Sequence, residues 1–261
     1  MALLEVRDVS VRFGGIVALD KVSFDVPEGA VVGLIGPNGA GKTTLFNTIS
    51  GLYRVDSGDL VFEGKTLIGM APYNVVRSGI ARTFQNVELW PRMTVLDNVL
   101  AGYHSRFKSD GFHFMRAGLR LPGTRRMERE AKEKSLEVLR YLGLEQLANY
   151  PARGHPFGVL KKIELARALV SAPSLLLLDE PAGGLTVEEV DRLALQLRRL
   201  HADFKLTLLL VEHHMNLVMR VSDRVVVLDF GRVIADGTPR EVQTNPRVIE
   251  AYLGTQQNGA A

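Results

Sequence analysis

Eight residues, Gly36-Pro37-Asn38-Gly39-Ala40-Gly41-Lys42-Thr43, fit the pattern G-x-x-x-x-G-K-[S/T]. The glycines let backbone N–H groups curl around phosphate oxygens, and a helix N-terminus behind them adds partial positive charge. In that geometry Lys42 reaches the β- and γ-phosphates of a nucleoside triphosphate, and the Thr43 hydroxyl bears on Mg²⁺. The loop needs a strand before it and a helix after it. The apolar run Val31–Ile35 supplies the first and Thr44–Ser50 the second, with Gly51 as a stop.

A second cluster lies far along the chain. Leu175-Leu176-Leu177-Leu178-Asp179-Glu180 puts two carboxylates at the end of a buried strand, the edge where ligands bind in an open parallel sheet. A phosphate-loop enzyme needs an acid there for Mg²⁺, which suits Asp179. Glu180 is then placed to polarise an attacking water. The apolar run Leu206–Val211 ends in Glu212-His213-His214, where a histidine can sense a γ-phosphate. An exposed polar loop and a metal pair are the alternatives at that place. Adjacent side chains diverge, which disfavours the metal.

The elements that carry these residues read as an α/β core with a helical insert. Strands are expected at Leu3–Val9, Val22–Val26, Val31–Ile35 and Leu60–Phe62. From Thr94 to about Leu147 the spacing becomes helical, most clearly over Arg125–Leu142. The core resumes with a helix over Lys161–Val170 and strands at Leu175–Leu178 and Leu206–Val211. Helices are expected over Val187–Leu200 and Met215–Val221. A hairpin turns at Phe230-Gly231, and Gln256–Ala261 reads as a frayed tail.

Bulk composition narrows the classes. The chain has 261 residues, 46% hydrophobic and 23% charged, with net charge +3, as a soluble globular protein has. There is no cysteine, which excludes disulfides, thiolate catalysis and cysteine zinc sites. No apolar run approaches the roughly 18 residues of a spanning helix. Glu5, Arg7 and Asp8 argue against a signal peptide. A cytoplasmic protein is expected, peripheral on the inner face of the cell membrane through partner subunits.

Together these motifs resemble the ATP-binding subunit of ABC transporters, over nearly the whole chain. Within that superfamily the chain is similar to the branched-chain amino-acid importer type. The finer likeness rests on Arg82-Thr83-Phe84-Gln85-Asn86, Met93-Thr94-Val95 with Asn98-Val99, Val221-Ser222-Asp223-Arg224, and Val248-Ile249-Glu250-Ala251-Tyr252-Leu253-Gly254. The extra length between His104 and Met127 resembles it too. Urea, amide and aromatic-compound importers use similar subunits.

The resemblance implies a P-loop ABC-type core with an N-terminal antiparallel β subdomain and a helical insert subdomain. Residues 1–85 and 160–240 would be nucleotide-binding core, 86–159 the helical signature subdomain and 241–261 a C-terminal tail. ATP and Mg²⁺ are the implied ligands. Lys42, Glu180 and His213 would be catalytic. Phe13, Gly36, Pro37, Asn38, Gly39, Ala40, Gly41, Lys42, Thr43, Thr44 and Gln85 would bind ATP. Phe13 would stack on adenine, with an ordinary strand-end role as the alternative. Thr43, Gln85 and Asp179 would hold the metal, and Gly158 would act in trans. Implied partners are a second ATPase subunit, membrane-spanning permease subunits and, indirectly, a solute-binding protein. Nucleic acid is not among them, because DNA-repair and translation members carry coiled-coil arms, zinc cysteines or fused domains.

Two stretches depart from the family pattern. The signature, usually Leu-Ser-Gly-Gly-Gln, reads His155-Pro156-Phe157-Gly158-Val159 here. Pro156 has neither hydroxyl nor N–H, and Val159 has no side-chain donor. The next loop has Thr186 where Asp or Asn is usual, and His214 stands in place of Asp. Donor-poor loops that act in trans, beside intact motifs that act in cis, imply a heterodimer with unequal ATP sites. A nucleotide-gated dimer with vestigial hydrolysis is the alternative. Trp90, with Glu88, Leu89 and Pro91, would line a groove for permease helices or simply pack. Arg116, Arg120, Arg125 and Arg126, with Phe112, Phe114 and Met115, are a solvated face or a contact for membrane subunits or lipid.

Overall fold

Strands that are apolar at every position must be covered on both faces, and three such runs build the centre of this fold. β3 (Val31–Ile35), β7 (Leu175–Asp179) and β8 (Thr207–Val211) are buried at all five positions each. With β6 (Ile80–Arg82), β9 (Arg224–Asp229) and β10 (Arg232–Gly237) they form a sheet of order β10-β9-β3-β8-β7-β6. Every neighbouring pair is parallel except β9 and β10, which close the hairpin at Phe230-Gly231. The structure, a computed structural model, describes residues 1–83, 87–103 and 122–257.

The N-terminal strands alternate in burial instead, as a sheet with one covered face does. β1 (Ala2–Phe13) and β2 (Ile16–Pro27) pair antiparallel, and β4 (Ser57–Phe62) and β5 (Lys65–Thr66) extend the sheet in the order β2-β1-β4-β5. β1 runs four residues past the expected Val9. Val11 stays buried and Phe13 faces Ile16 across the hairpin end. Leu4, Val6, Val9, Leu19 and Val26 of this sheet share one apolar cluster with Leu34, Leu45, Phe46 and Leu177. That shared core fixes the β1–β2 hairpin beside the nucleotide loop.

The chain divides into two units, Met1–Gln85 with Ser174–Ala261, and Asn86–Pro173. The first holds both sheets with α1 (Lys42–Ile49) and α2 (Pro72–Arg77). The second holds α3 (Val95–Tyr103), α4 (Pro122–Tyr141) and α5 (Phe157–Leu169). The second compact unit thus runs on to Pro173 and includes α5. α5 packs closely on α3 at Gly102, where a Cβ would stand 1.9 Å from the Arg167 carbonyl oxygen. Such contact leaves room only for glycine.

Further helices return to the first unit: α6 (Val187–Phe204), α7 (Met215–Val221), α8 (Pro239–Gln243) and α9 (Pro246–Gln257). Residues 241–257 thus carry the end of α8 and all of α9. Thr238 starts α8 with a capping box to Glu241, and proline occupies its first turn. Residues 258–261 lie outside the described residues, as do most of the His104–Met127 stretch and Phe112, Phe114, Met115, Arg116 and Arg120. The side chain of Arg125 is outside them too. Among the described residues no helix is long and apolar enough to cross a membrane.

Candidate functional site

Parallel strands deliver their C-terminal ends to one edge, and three adjacent strands here end in the residues singled out above. β3 leads into Gly36–Thr43, β7 ends in Asp179 and Glu180, and β8 runs into Glu212 and His213. The register is direct: Leu34 pairs with Val211, and Val211 with Asp179. Gly36, Lys42, Asp179, Glu180 and His213, distant in sequence, are thereby brought to one sheet edge.

Backbone conformation explains the loop's glycines. Gly36 has φ +153°, and a Cβ there would stand 2.1 Å from the Leu228 carbonyl oxygen. Gly41, with φ +101°, is the N-cap of α1 and sits against the Ala18 carbonyl of β2. Neither place accepts a side chain. Gly39, with φ +80°, faces open space. Lys42 is buried, and its Nζ donates to the carbonyls of Gly36 at 2.6 Å and Pro37 at 2.8 Å. Burial pushes its pKa down, and the Glu180 carboxylate opposes that shift. Thr43 and Asn38 are exposed, Thr44 is half-buried, and Ala40 is packed beneath the loop.

Asp179 lies in a buried ion pair. Arg82 Nη2 donates to its Oδ2 at 2.7 Å, and the two side chains are 9% and 5% exposed. The same guanidinium donates to Asn47 Oδ1 at 2.8 Å and Ser50 Oγ at 3.2 Å, and lies over the Phe46 ring. Arg82 thus ties the acid at the end of β7 to the end of α1. Sequence reading placed Arg82 only in a family stretch. Its ion pair spans 97 residues and has no local signal.

Glu180 adopts φ +47°, in the left-handed region that non-glycine residues rarely occupy. Strain of this kind collects at working sites. Its Oε1 lies 2.7 Å from His213 Nε2. The histidine of Glu212-His213-His214 that meets Glu180 is therefore the first. Among the described residues no group of three or more His, Cys, Asp or Glu could hold a metal. The hard oxygen donors Thr43 and Asp179 fit Mg²⁺ that shares its remaining ligands with phosphates and water.

Phe13 is 46% exposed, with its ring edge-on to Tyr53 at 5.1 Å. Tyr53 was not expected from sequence. It places a second exposed aromatic beside the residue matched to adenine. Tyr252 of α9 was likewise read only as part of a family stretch. Burial pushes its phenol up, and the Gly36 backbone N–H opposes that shift. The C-terminal helix therefore reaches the first glycine of the loop. Gln85, with Phe84 and Asn86, lies outside the described residues.

In the second unit Pro156 is the N-cap of α5, with no side-chain cap. Its carbonyl accepts from the N–H groups of Val159 at 2.9 Å and Leu160 at 3.1 Å. Gly158 is thus in the first helical turn, beside the half-exposed Phe157. His155 Nε2 is buried with no hydrogen-bond partner among the described residues. Trp90 is half-exposed, its ring under the Arg167 guanidinium, and its backbone N–H donates to Asn98 Oδ1 at 2.8 Å. Thr186, in the first unit, caps α6. Its hydroxyl accepts from Glu189 N–H, and the Glu189 side chain accepts from the Thr186 N–H at 2.8 Å. That threonine therefore has a local reason to be there.

Residues 19–183 match the family model described as "ABC transporter". This chain belongs to the ABC transporter family. Residues 232–257 of the cassette also match a model described as "Branched-chain amino acid ATP-binding cassette transporter". Over 252 residues the cassette is 40% identical to the high-affinity branched-chain amino acid transport ATP-binding protein BraF of Pseudomonas aeruginosa, covering 97% of this chain and 98% of the relative. It is 40% identical to LivG of Escherichia coli, with the same coverage, over 255 residues. The probable LivG of Archaeoglobus fulgidus is 37% identical, covering 99% and 98%. The fold is similar to a crystal structure of an ABC transporter cassette in its ADP conformation. The TM-score is 0.84 at 32% identity, over 97% of this chain and 99% of that one. A nucleotide-free cassette gives 0.83 at the same identity and coverage. The antiparallel sheet, the α/β core and the helical unit expected from sequence are all present.

Proposed function

We propose that this cassette binds and hydrolyses ATP to energise an importer of branched-chain or other hydrophobic amino acids. The observation that carries the chemistry is Glu180 at 2.7 Å from His213, on the same sheet edge as the phosphate loop and Asp179. The names of the relatives support the solute class. The cassette would sit at the inner membrane face, bound to permease subunits and, through them, to a solute receptor.

In this reading the amides of residues 36–43 cradle the phosphates and Lys42 leaves its loop carbonyls for the β- and γ-oxygens. Phe13 stacks on adenine. Thr43, Asp179 and Gln85 would hold Mg²⁺, which would supply charge neutralisation for the phosphates. Glu180 accepts a proton from the attacking water, while His213 orients that carboxylate and faces the γ-phosphate. The rate comes mainly from fixed donors aimed at developing phosphoryl charge.

Two cassettes would sandwich the nucleotides, each offering its signature to the other. Pro156 lacks a donor, Val159 has none on its side chain, and the Val159 N–H is already directed to Pro156. The partner's site would therefore be slow, since one missing transition-state donor costs about 10²–10³ in rate. An unlike ATPase partner, carrying a donor-rich signature, then serves this chain's own site. In the assembled importer Glu180→Gln should abolish transport and leave ATP binding intact. Transport that persists would favour the alternative, in which nucleotide binding alone closes the dimer; the donor-poor signature is the feature that speaks for it.

A further inference from the structure

β8 ends at Val211, and the next side chain, Glu212, is only 1% exposed. A carboxylate removed from water needs donors on its oxygens. Glu212 finds three, all from the backbone. Oε1 accepts from Ala182 N–H at 2.6 Å. Oε2 accepts from His213 N–H at 2.9 Å and His214 N–H at 3.1 Å.

The two oxygens thus hold different loops. Ala182 lies two residues after Glu180, in the segment leading to the Thr186 cap. His213 and His214 follow β8. His213 Nε2 in turn meets Glu180 Oε1. The contacts close a ring: Glu180, Ala182 N–H, the Glu212 carboxylate, His213 and back to Glu180. From this ring we infer that Glu212 is a positioning residue. It holds the His213 imidazole against Glu180 and links that pair to the loop at 182–186. Movement of that loop is transmitted to the pair through one buried side chain. The inference rests on the hydrolytic reading above for its kinetic consequence, though not for its structural one.

Glutamine has nearly the same volume as glutamate but one acceptor oxygen instead of two. In Glu212→Gln either the Ala182 side or the histidine side must face an NH₂ group against an N–H. The bridge opens while the fold's packing is kept. The test is amide hydrogen exchange of the nucleotide-free chain, with ATP turnover measured beside it. In the native chain the Ala182, His213 and His214 amides should be protected although they lie in loops. In Glu212→Gln the Ala182 amide, or the His213 and His214 amides together, should exchange about tenfold faster or more, with α1 unchanged. Turnover should fall roughly 10- to 100-fold with the KM for ATP within about threefold. In a His213→Ala background the same substitution should cost under about threefold, because its effect runs through His213.

Fast exchange of these amides in the native chain would overturn the inference without any variant. So would unchanged exchange in Glu212→Gln, or an equal kinetic loss with and without His213. A native chain that binds ATP and shows no turnover, even with a competent partner, would refute the hydrolytic reading instead. The exchange results would still decide whether Glu212 forms the bridge.

Discussion

Replacing Arg82 by methionine leaves the Asp179 carboxylate buried without its cation. The pair is 2.7 Å long between side chains that are 9% and 5% exposed, so water cannot take the arginine's place. Asn47 Oδ1 and Ser50 Oγ lose their donor in the same step. Breaking a buried pair from one side costs about 3–5 kcal/mol. For a chain of this size that lowers Tm by roughly 6–20 °C. The assay is thermal unfolding of the nucleotide-free chain, followed by calorimetry and circular dichroism. Arg82→Lys should fall between, because an ammonium cannot span Asp179 and Asn47 as the guanidinium fork does. The double change Arg82→Met with Asp179→Asn should recover more than half the loss, since neither charge is then stranded. A Tm within about 2 °C of native for Arg82→Met would refute the reasoning. So would a double variant as unstable as the sum of the single ones.

Other substitutions probe other parts of the chain. Gly102→Ala pushes a Cβ to within 1.9 Å of the Arg167 carbonyl oxygen. Overpacking of about 1–3 kcal/mol should outweigh the helix-propensity gain, raising amide exchange in α3 and α5 while ATP binding at the phosphate loop stays native. His155→Leu removes a buried imidazole nitrogen that has no partner among the described residues. It should stabilise the helical unit by about 1 kcal/mol in denaturant unfolding. Tyr252 has its phenol pushed up by burial. The unfolded chain therefore loses this proton first as pH rises past the ordinary tyrosine range, so the group's contribution to stability falls there. Tyr252→Phe should remove that alkaline loss, read by unfolding across alkaline pH.

Much of this was legible before any coordinates, for definite physical reasons. The phosphate loop declares itself because only glycine fits at Gly36 and Gly41. β7 and β8 declare themselves because they are apolar at every position. Asp179 and Glu180 stand out because charge follows such a run. The hairpin at Phe230-Gly231 and the helix Met215–Val221 were found where expected. Long-range pairing was not legible. Arg82 looked like the head of a family stretch, and Glu212 like part of an exposed polar loop, until the fold supplied their partners. The composition of α5 resembles that of a core helix, and only its closeness to Gly102 shows that it packs against α3. Thr186 was read as a departure from the family, although Thr-x-x-Glu is a helix-start pattern visible in the sequence itself.

The most direct test of the central claim is Mg²⁺-dependent ATP turnover by the purified chain carrying Pro156→Ser and Val159→Gln, across protein concentration. The same chain with Glu180→Gln is measured alongside, and ATP binding is followed in both. The account predicts turnover that rises cooperatively with concentration, exceeds that of the native signature at least tenfold, and falls about a hundredfold or more in Glu180→Gln with binding unchanged. Turnover that stays at background despite ATP binding, or that survives Glu180→Gln, would contradict it.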